Sequence, residues 1–585
     1  MAENAKNVLS LNSKEAIEFF LKSNQYHGFE LPDYYKFDSL LEKVKDAVGN
    51  TPYDKCIAKG ASPEQLSDVN FNILLNKDGR YDVRPIMLAN PFLYYFLVRE
   101  ICSNDSWPVV KHLFKTFKVP HITSCALPVV PDDKKKENFP KATTILNWWN
   151  SVEQRSVELS LEYRYMFVTD ISNCYGSVNP QAFDWAFSFK GTQHERDAQS
   201  TIPKNIQKYL RAFQQGRGIG IPQGSAIFDL LAEIILGYAD LLLHEAIEKE
   251  GITASYEVIR YRDDYRIFCN DKDALERISY LLQGVLEQLN FRMNSKKTKL
   301  TEDLVADSIK PDKLAYIYNT PIKNKKGYDF DSIEKQLLFI LMFARKHPNS
   351  GTVQTLLSEL DKRITDILET PESSKADTGK TKFRHFRQDF ADLFADSKDQ
   401  KSNKKEDKPD KKEAKPAKKE TASVSIFDMV KIYHPKNRLP GGSERAMAAI
   451  CLKIALENVN RGHYALRVLS RIVNSIADEQ EKWDIFNLVC QQLGAQSNSS
   501  YFQIWLQNIT YQRDKKRGAC PYTSRLCKVV DGEKNVTLWN CSWLKKSVTK
   551  GIDATEIVDA ETLKEVTPVI SFIERGNYDG SSYQA

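Results

Sequence analysis

The stretch Tyr261-Arg262-Asp263-Asp264 lies within Tyr256–Cys269, where β-branched and aromatic residues flank it on both sides. Such a run is expected to form two short strands joined by a tight turn, with both carboxylates at the tip. Adjacent carboxylates repel, and the repulsion costs stability unless a cation sits between or beside them. These residues admit two readings. One is a solvated Asp-Asp turn in a hairpin, a place that Asp suits. The other is half of a divalent-metal site for phosphoryl transfer, where two ions clamp the attacking and leaving oxygens.

The metal reading needs a further carboxylate at the end of a neighbouring strand. The apolar run Tyr165-Met166-Phe167-Val168-Thr169 leads into Asp170, and an aromatic, Tyr175, follows five positions later. Taken alone, Asp170 suits a helix N-cap or a turn equally well. A third segment, Gly218–Ser225, is a Gly/Pro loop with Pro222-Gln223-Gly224 at its end, feeding a helix. Taken alone, it is an ordinary strand-helix connection.

The elements that must hold these residues can be read from periodicity. After the loop, Ile227, Leu230, Leu231, Ile234, Tyr238, Leu241 and Leu242 share one helical face. Asp229, Glu233, Asp240, His244 and Glu245 interrupt this run, which makes it a core helix and not a membrane span. A second helix is expected over 273–289. Upstream, Asn72–Leu88 reads as a β-hairpin with Asp78-Gly79 at its turn, followed by a helix that opens after Pro91. Ser13 is expected to cap a helix through Leu21. Amphipathic helices are expected over 332–347 and 353–368, then over 443–476 and 482–493.

The chain has 585 residues, too many for one core, and 42% hydrophobic with 27% charged residues is ordinary for a globular protein. A net charge of +6 permits nucleic-acid binding through a local basic surface without requiring it. Ten cysteines are scattered with no zinc spacing, and Cys520, Cys527 and Cys541 read as ordinary thiols. Neither a signal peptide nor a disulfide framework is expected, which fits a reducing cytoplasm and no membrane. Residues 396–423 alternate Lys, Asp, Glu, Pro and Ala with almost no apolar residue, the composition of a disordered linker.

In this order the three segments resemble motifs A, B and C of the reverse transcriptase palm: Asp170 with Tyr175 five residues on, the Pro222-Gln223-Gly224 loop, and Tyr261-Arg262-Asp263-Asp264. Leu289–Thr298, closing on Lys297-Thr298, is similar to motif D. The resemblance covers residues 70–320 and implies an α+β fold, with right-hand polymerase fingers and a ferredoxin-like palm. An all-α, bundle or repeat-like domain is expected after it. The expected division is an N-terminal helical extension (1–65), fingers and palm (66–310), thumb-like helices (311–395), the charged linker (396–423) and a C-terminal helical domain with a flexible tail (424–585).

The resemblance also implies roles. Asp170 and Asp263 would bridge two Mg2+ ions, with Mn2+ as a substitute, assisted by the Ile171 carbonyl and with Asp264 as a second carboxylate near the pair. Tyr175 would be the steric gate that favours dNTPs, and Gln223 would lie near the templating pair. Lys297 would protonate the leaving pyrophosphate. Arg84, in Arg84-Pro85-Ile86, matches the fingers arginine that closes on the triphosphate, and Lys77 is a second candidate; both residues also read as solvated hairpin charges. The basic run Lys134–Lys136 reads as solvated loop.

Thr169-Asp170-Ile171-Ser172-Asn173-Cys174-Tyr175-Gly176-Ser177-Val178 is similar to motif A of bacterial abortive-infection and defence-associated (AbiK-like) reverse transcriptases. Arg84-Pro85 followed by Asn90–Tyr94 also resembles that group. Asn179-Pro180-Gln181 departs from the Tyr-Thr-His that often follows motif A there. Membership implies antiphage defence, template-independent or protein-primed DNA synthesis and homo-oligomers. Tyr578 and Tyr583 are candidate priming hydroxyls by reach alone. The alternatives are a conventional RNA-templated reverse transcriptase of a retron or group II-like element, and a catalytically dead nucleic-acid-binding scaffold.

Overall fold

The structure, a computed structural model, describes residues 6–76, 83–130, 149–188, 193–319, 332–369, 439, 443–496, 499–518, 521–533 and 536–572. Lys77, the Asp78-Gly79 turn, Lys134–Lys136, the charged run 396–423, Tyr578 and Tyr583 lie outside the described residues.

The first helix, α1 (Ser13–Phe20), is capped by Asn12 and not, as its sequence suggests, by Ser13. The Asn12 side chain accepts from the Glu15 N–H while the Glu15 carboxylate accepts from the Asn12 N–H, so two orphan donors are satisfied reciprocally. Strands β1 (Phe71–Asn76) and β2 (Val83–Leu88) pair antiparallel, from Phe71 opposite Leu88 to Asn76 opposite Val83. Buried Asn90 then caps α2 (Pro91–Cys102), accepting from the Phe92 and Leu93 N–H groups. Pro91 takes the first helical position, where a missing N–H costs nothing.

A five-stranded sheet forms the centre, with β3 (Ile122–Ser124), β4 (Tyr165–Asp170), β5 (Tyr256–Tyr261), β6 (Asp264–Cys269) and β7 (Lys299–Thr301) in the order β3-β5-β6-β4-β7. All its pairs are antiparallel except β3 with β5. Between the strands run α3 (Gln193–Phe213), α4 (Ala226–Glu250) and α5 (Lys272–Gln288). The succession β4, α4, β5–β6 hairpin, α5, β7 is the split βαβ pattern of ferredoxin-like folds. β6 is buried from Tyr265 to Cys269, and α4 is buried along most of its length, so both belong to the core. Among the described residues no helix is long and apolar enough to cross a membrane.

Two helices, α6 (Ile333–Lys346) and α7 (Gly351–Glu369), precede the undescribed segment, and α8 (Glu444–Glu457), α9 (Gly462–Asn474), α10 (Glu479–Gly494) and α11 (Ser500–Arg517) follow it. Residues 1–364 and 440–585 make one compact unit and residues 365–439 another. Within the first unit the late segments lace onto the early ones. The Asn540 N–H donates to the Asp68 carbonyl (2.9 Å), the Lys545 N–H to the Cys56 carbonyl (2.9 Å) and the Asp559 N–H to the Tyr34 carbonyl (2.8 Å). The Trp539 indole donates to the Leu88 carbonyl at the end of β2 (3.0 Å). Buried His463 hydrogen-bonds Glu30 and stacks on Trp505 with ring centroids 4.8 Å apart.

Candidate active site

Antiparallel register places Asp170 opposite Asp264, so the end of β4 and the β5–β6 turn meet at one edge of the sheet. Backbone bonds fix the meeting: the Ile171 N–H donates to the Asp263 carbonyl (3.0 Å), and the Asn294 N–H donates to the Asp170 carbonyl (2.9 Å). Asp170 is buried, at 6% exposure. Its Oδ2 accepts from Lys297 Nζ (2.5 Å), and the buried Oδ1 has no hydrogen-bond partner among the described residues. Next to Asp170 and Lys297, the Thr169 and Thr298 hydroxyls hydrogen-bond each other (2.7 Å) and tie β4 to the Lys297 loop.

Three carboxylates thus crowd one place beside Lys297, and the effect shows at Asp263 and Asp264. Burial raises the Asp263 pKa, and the negative charge of Asp170 adds to it. Asp264 meets solvent on one side, while the protein around the rest of it desolvates the group; with the repulsion of Asp263 this pushes its pKa up to about 6. Desolvation opposes the charge on Lys297, but its bond to Asp170 and the attraction of all three carboxylates outweigh that and raise its pKa.

The native state holds the Asp264 proton to higher pH than the unfolded chain does, so ionising it costs stability as pH rises from 3.8 to about 6. In metal-free buffer, Asp264→Asn is expected to melt roughly 1–2 °C above the parent at neutral pH, a modest figure because the group is screened by solvent. The gain should shrink below pH 6 and vanish near pH 4. Thermal scans across that range check it; a lower melting point at neutral pH would refute it.

Tyr175 is buried in the short helix Cys174–Ser177, which follows Asn173 in the left-handed region at φ 48°. Its phenol donates to Asp229 Oδ1 at 2.6 Å. The Gly/Pro loop is stitched to this turn and to the hairpin β1–β2 at once. The Gly220 N–H donates to the Val178 carbonyl and the Ile221 N–H to the Tyr175 carbonyl (both 2.7 Å), while the Met87 N–H donates to the Gln223 carbonyl (2.8 Å). Gly224, at φ 134°, is required: a Cβ there would lie 2.5 Å from the Met87 carbonyl oxygen. Gln223 therefore sits where the hairpin, the Tyr175 turn and α4 converge. Arg84 is exposed on β2, opposite Leu75 and three residues before Met87.

Sequence patterns did not disclose the network behind the β5–β6 turn. Arg262 adopts φ 55°, a region that non-glycine residues rarely occupy. Its guanidinium donates to Asp229 Oδ2 (2.7 Å), and its carbonyl accepts from Arg260 Nη1 (3.2 Å). Arg260, fully buried, is clamped by Asp240 (2.7 Å) and Glu233 (3.1 Å), and Ser124 on β3 donates to Glu233 (3.1 Å). Asp229, Glu233 and Asp240 read from the sequence only as interruptions of an apolar helix. Their spacings of four and seven put all three on one face of α4, and that spacing was the available signal that the face meets cations.

Among the described residues no group of three or more His, Cys, Asp or Glu side chains is arranged to hold a metal ion. The donor chemistry nonetheless fits a hard cation. Asp170 Oδ1 is a buried carboxylate oxygen without a hydrogen-bond partner among the described residues, in a place of excess negative charge.

A model of the family described as reverse transcriptase (RNA-dependent DNA polymerase) matches residues 118–330. No curated protein matches the chain. Among solved structures, apo telomerase from Candida tropicalis, truncated from its C-terminal domain, is similar at 14% identity and a TM-score of 0.26 over 46% of this chain and 55% of that one. Telomerase from Candida albicans, in complex with a TWJ fragment of telomeric RNA, is similar at 10% identity and a TM-score of 0.27, over 77% of this chain and 69% of that one. This chain thus spans little more than half the length of the first of these structures. The match to the reverse transcriptase family spans the part of the chain that contains β4, the β5–β6 turn and the loop between them.

Proposed function

We propose that this protein is a DNA nucleotidyltransferase that adds dNTPs by phosphoryl transfer at Asp170, Asp263 and Asp264. The observation that carries the reading is the register of β4 on β6, which sets Asp170 against the turn holding the other two carboxylates. Two divalent cations, Mg2+ with Mn2+ as a substitute, held by Asp170 and Asp263 with Asp264 and the Ile171 carbonyl beside them, would neutralise charge on the attacking and leaving oxygens. Tyr175 stands under the sugar, where its ring disfavours a 2′-hydroxyl, and this supports DNA as product. Gln223 lies beside the templating pair. Lys297, held near the reacting phosphates by Asp170, is the acid for pyrophosphate. Arg84, with Lys77, engages the triphosphate through charge-assisted bonds.

The motif Thr169–Val178 supports a finer reading as a cytoplasmic, homo-oligomeric enzyme of bacterial abortive infection. In that group, untemplated synthesis primed from a tyrosine is the activity to test for, with Tyr578 and Tyr583 as candidates. The competing enzyme is an RNA-templated reverse transcriptase. Purified full-length protein, incubated with Mg2+ and labelled dNTPs without template or primer and resolved on a denaturing gel before and after protease, separates them. Labelled product that stays with protein until digestion is the expected result. Labelling that appears only with a primed RNA template would remove the priming reading, and none under either condition would favour a dead scaffold.

A further inference from the structure

One acidic side chain outside the carboxylate set stands between two parts of the site. Asp229, in the first turn of α4, accepts from the Tyr175 phenol through Oδ1 (2.6 Å) and from Arg262 Nη2 through Oδ2 (2.7 Å). Tyr175 lies five residues after Asp170, and Arg262 immediately precedes Asp263. A single carboxylate therefore touches both the aromatic beside one metal-binding strand and the turn that carries the other acids.

Two features distinguish this bridge from a polar group merely satisfied at the edge of a core. Arg262 holds a left-handed backbone at φ 55°, a conformation that persists only when its surroundings hold it. It is held from two sides, by Asp229 at the guanidinium and by Arg260 at the carbonyl. A phenol, in turn, has one hydrogen to donate. With that hydrogen committed to Asp229, the phenol oxygen is tied to the first turn of α4. The Tyr175 phenol and the Arg262 guanidinium are thus tied to the two oxygens of one carboxylate.

We propose that Asp229 is a positioning residue that couples the sugar-facing ring of Tyr175 to the turn carrying Asp263, so that sugar selection and turnover depend on the same carboxylate. The proposal rests on the polymerase reading above. Its consequence is that weakening the Arg262 side of the bridge is felt in the dNTP-to-rNTP preference, although Arg262 is remote from the sugar in sequence and role.

The test measures kcat and kcat/KM for dNTP and rNTP incorporation by full-length protein carrying Asp229→Asn, Asp229→Glu, Tyr175→Phe, Tyr175→Ala, or Asp229→Asn with Tyr175→Phe. Asparagine still offers an acceptor to the phenol but loses the charged bond to Arg262, so dNTP turnover and the dNTP-to-rNTP ratio should each fall on the order of tenfold. Glutamate, which keeps the charge, should restore much of the ratio. Phenylalanine at 175 should lower the ratio severalfold, and the double variant should differ little from Asp229→Asn alone, since the two changes break one linkage. A parental ratio in both Asp229→Asn and Tyr175→Phe, with Tyr175→Ala relaxed, overturns the coupling and leaves the gate standing. A parental ratio in Tyr175→Ala instead removes the gate reading, and the coupling with it. Should Asp229→Asn fail to fold, the Tyr175→Phe ratio still decides.

Discussion

Asp170→Ala is expected to abolish nucleotide addition, by about three orders of magnitude or more, while the protein stays folded. Several kcal/mol of charge stabilisation at the transferring phosphoryl group would be lost, and each 1.36 kcal/mol is tenfold in rate. The fold should tolerate the change because Asp170 is a cost to it. Its Oδ1 is buried with no hydrogen-bond partner among the described residues, and its neighbours Asp263 and Asp264 carry like charge. Lys297, which donates to Asp170, is largely exposed and can return to water. Activity and stability should therefore part company: incorporation of labelled dNTP falls to background while the thermal midpoint holds or rises. Residual incorporation within tenfold of the parent would exclude Asp170 from the chemistry. A collapse of the midpoint would show that it serves the fold instead.

Arg260→Met should have the opposite signature. Arg260 has no exposed surface and is the shared cation for Glu233 and Asp240, both buried on α4. Removing one partner of a buried ion pair strands the other, at about 3–5 kcal/mol, a large part of the stability of an ordinary domain. Two acids are stranded here, and the carbonyl of Arg262 loses its donor too. Denaturant unfolding should report that loss, and activity should fall with it. Burial already raises the Asp240 pKa in the parent; without Arg260 the carboxyl takes up a proton at still higher pH, so the deficit should narrow toward pH 5. Changing Asp240 and Glu233 to Leu and Gln along with Arg260→Met should recover much of the stability. A deficit under about 1 kcal/mol would mean that water or neighbouring groups already compensate the acids.

What the sequence disclosed is what short-range patterns can carry. The β5–β6 hairpin, the helix after the Gly/Pro loop and the strand ending at Asp170 are each declared by local periodicity and turn chemistry, and the structure describes them over the expected residues. The helix expected over 273–289 runs Lys272–Gln288, displaced by a residue because Asp271 is its cap. The run expected over 443–476 is two helices, broken at Asn458–Arg461. Asn458 there adopts a non-helical backbone that the apolar pattern does not register. Asp229, Glu233 and Asp240 were visible as charges but not as partners, because their arginines come 20 to 33 residues later on another element. Likewise, nothing local in Asn540, Lys545 or Asp559 announces that their amides reach residues 68, 56 and 34.

Those last contacts bear on how the molecule is made. During synthesis the N-terminal residues emerge first, and chains extend at about 5–20 residues per second. The backbone acceptors at Tyr34, Cys56 and Asp68 and the carbonyl of Leu88 wait for donors more than 450 positions downstream. The hairpin that bonds to the loop holding Gln223 thus gains the Trp539 contact only after residue 539 has been made. A chain made only as far as β7 therefore has Asp170, Asp263 and Asp264 but not yet the later amides and the Trp539 indole that brace the residues before α2.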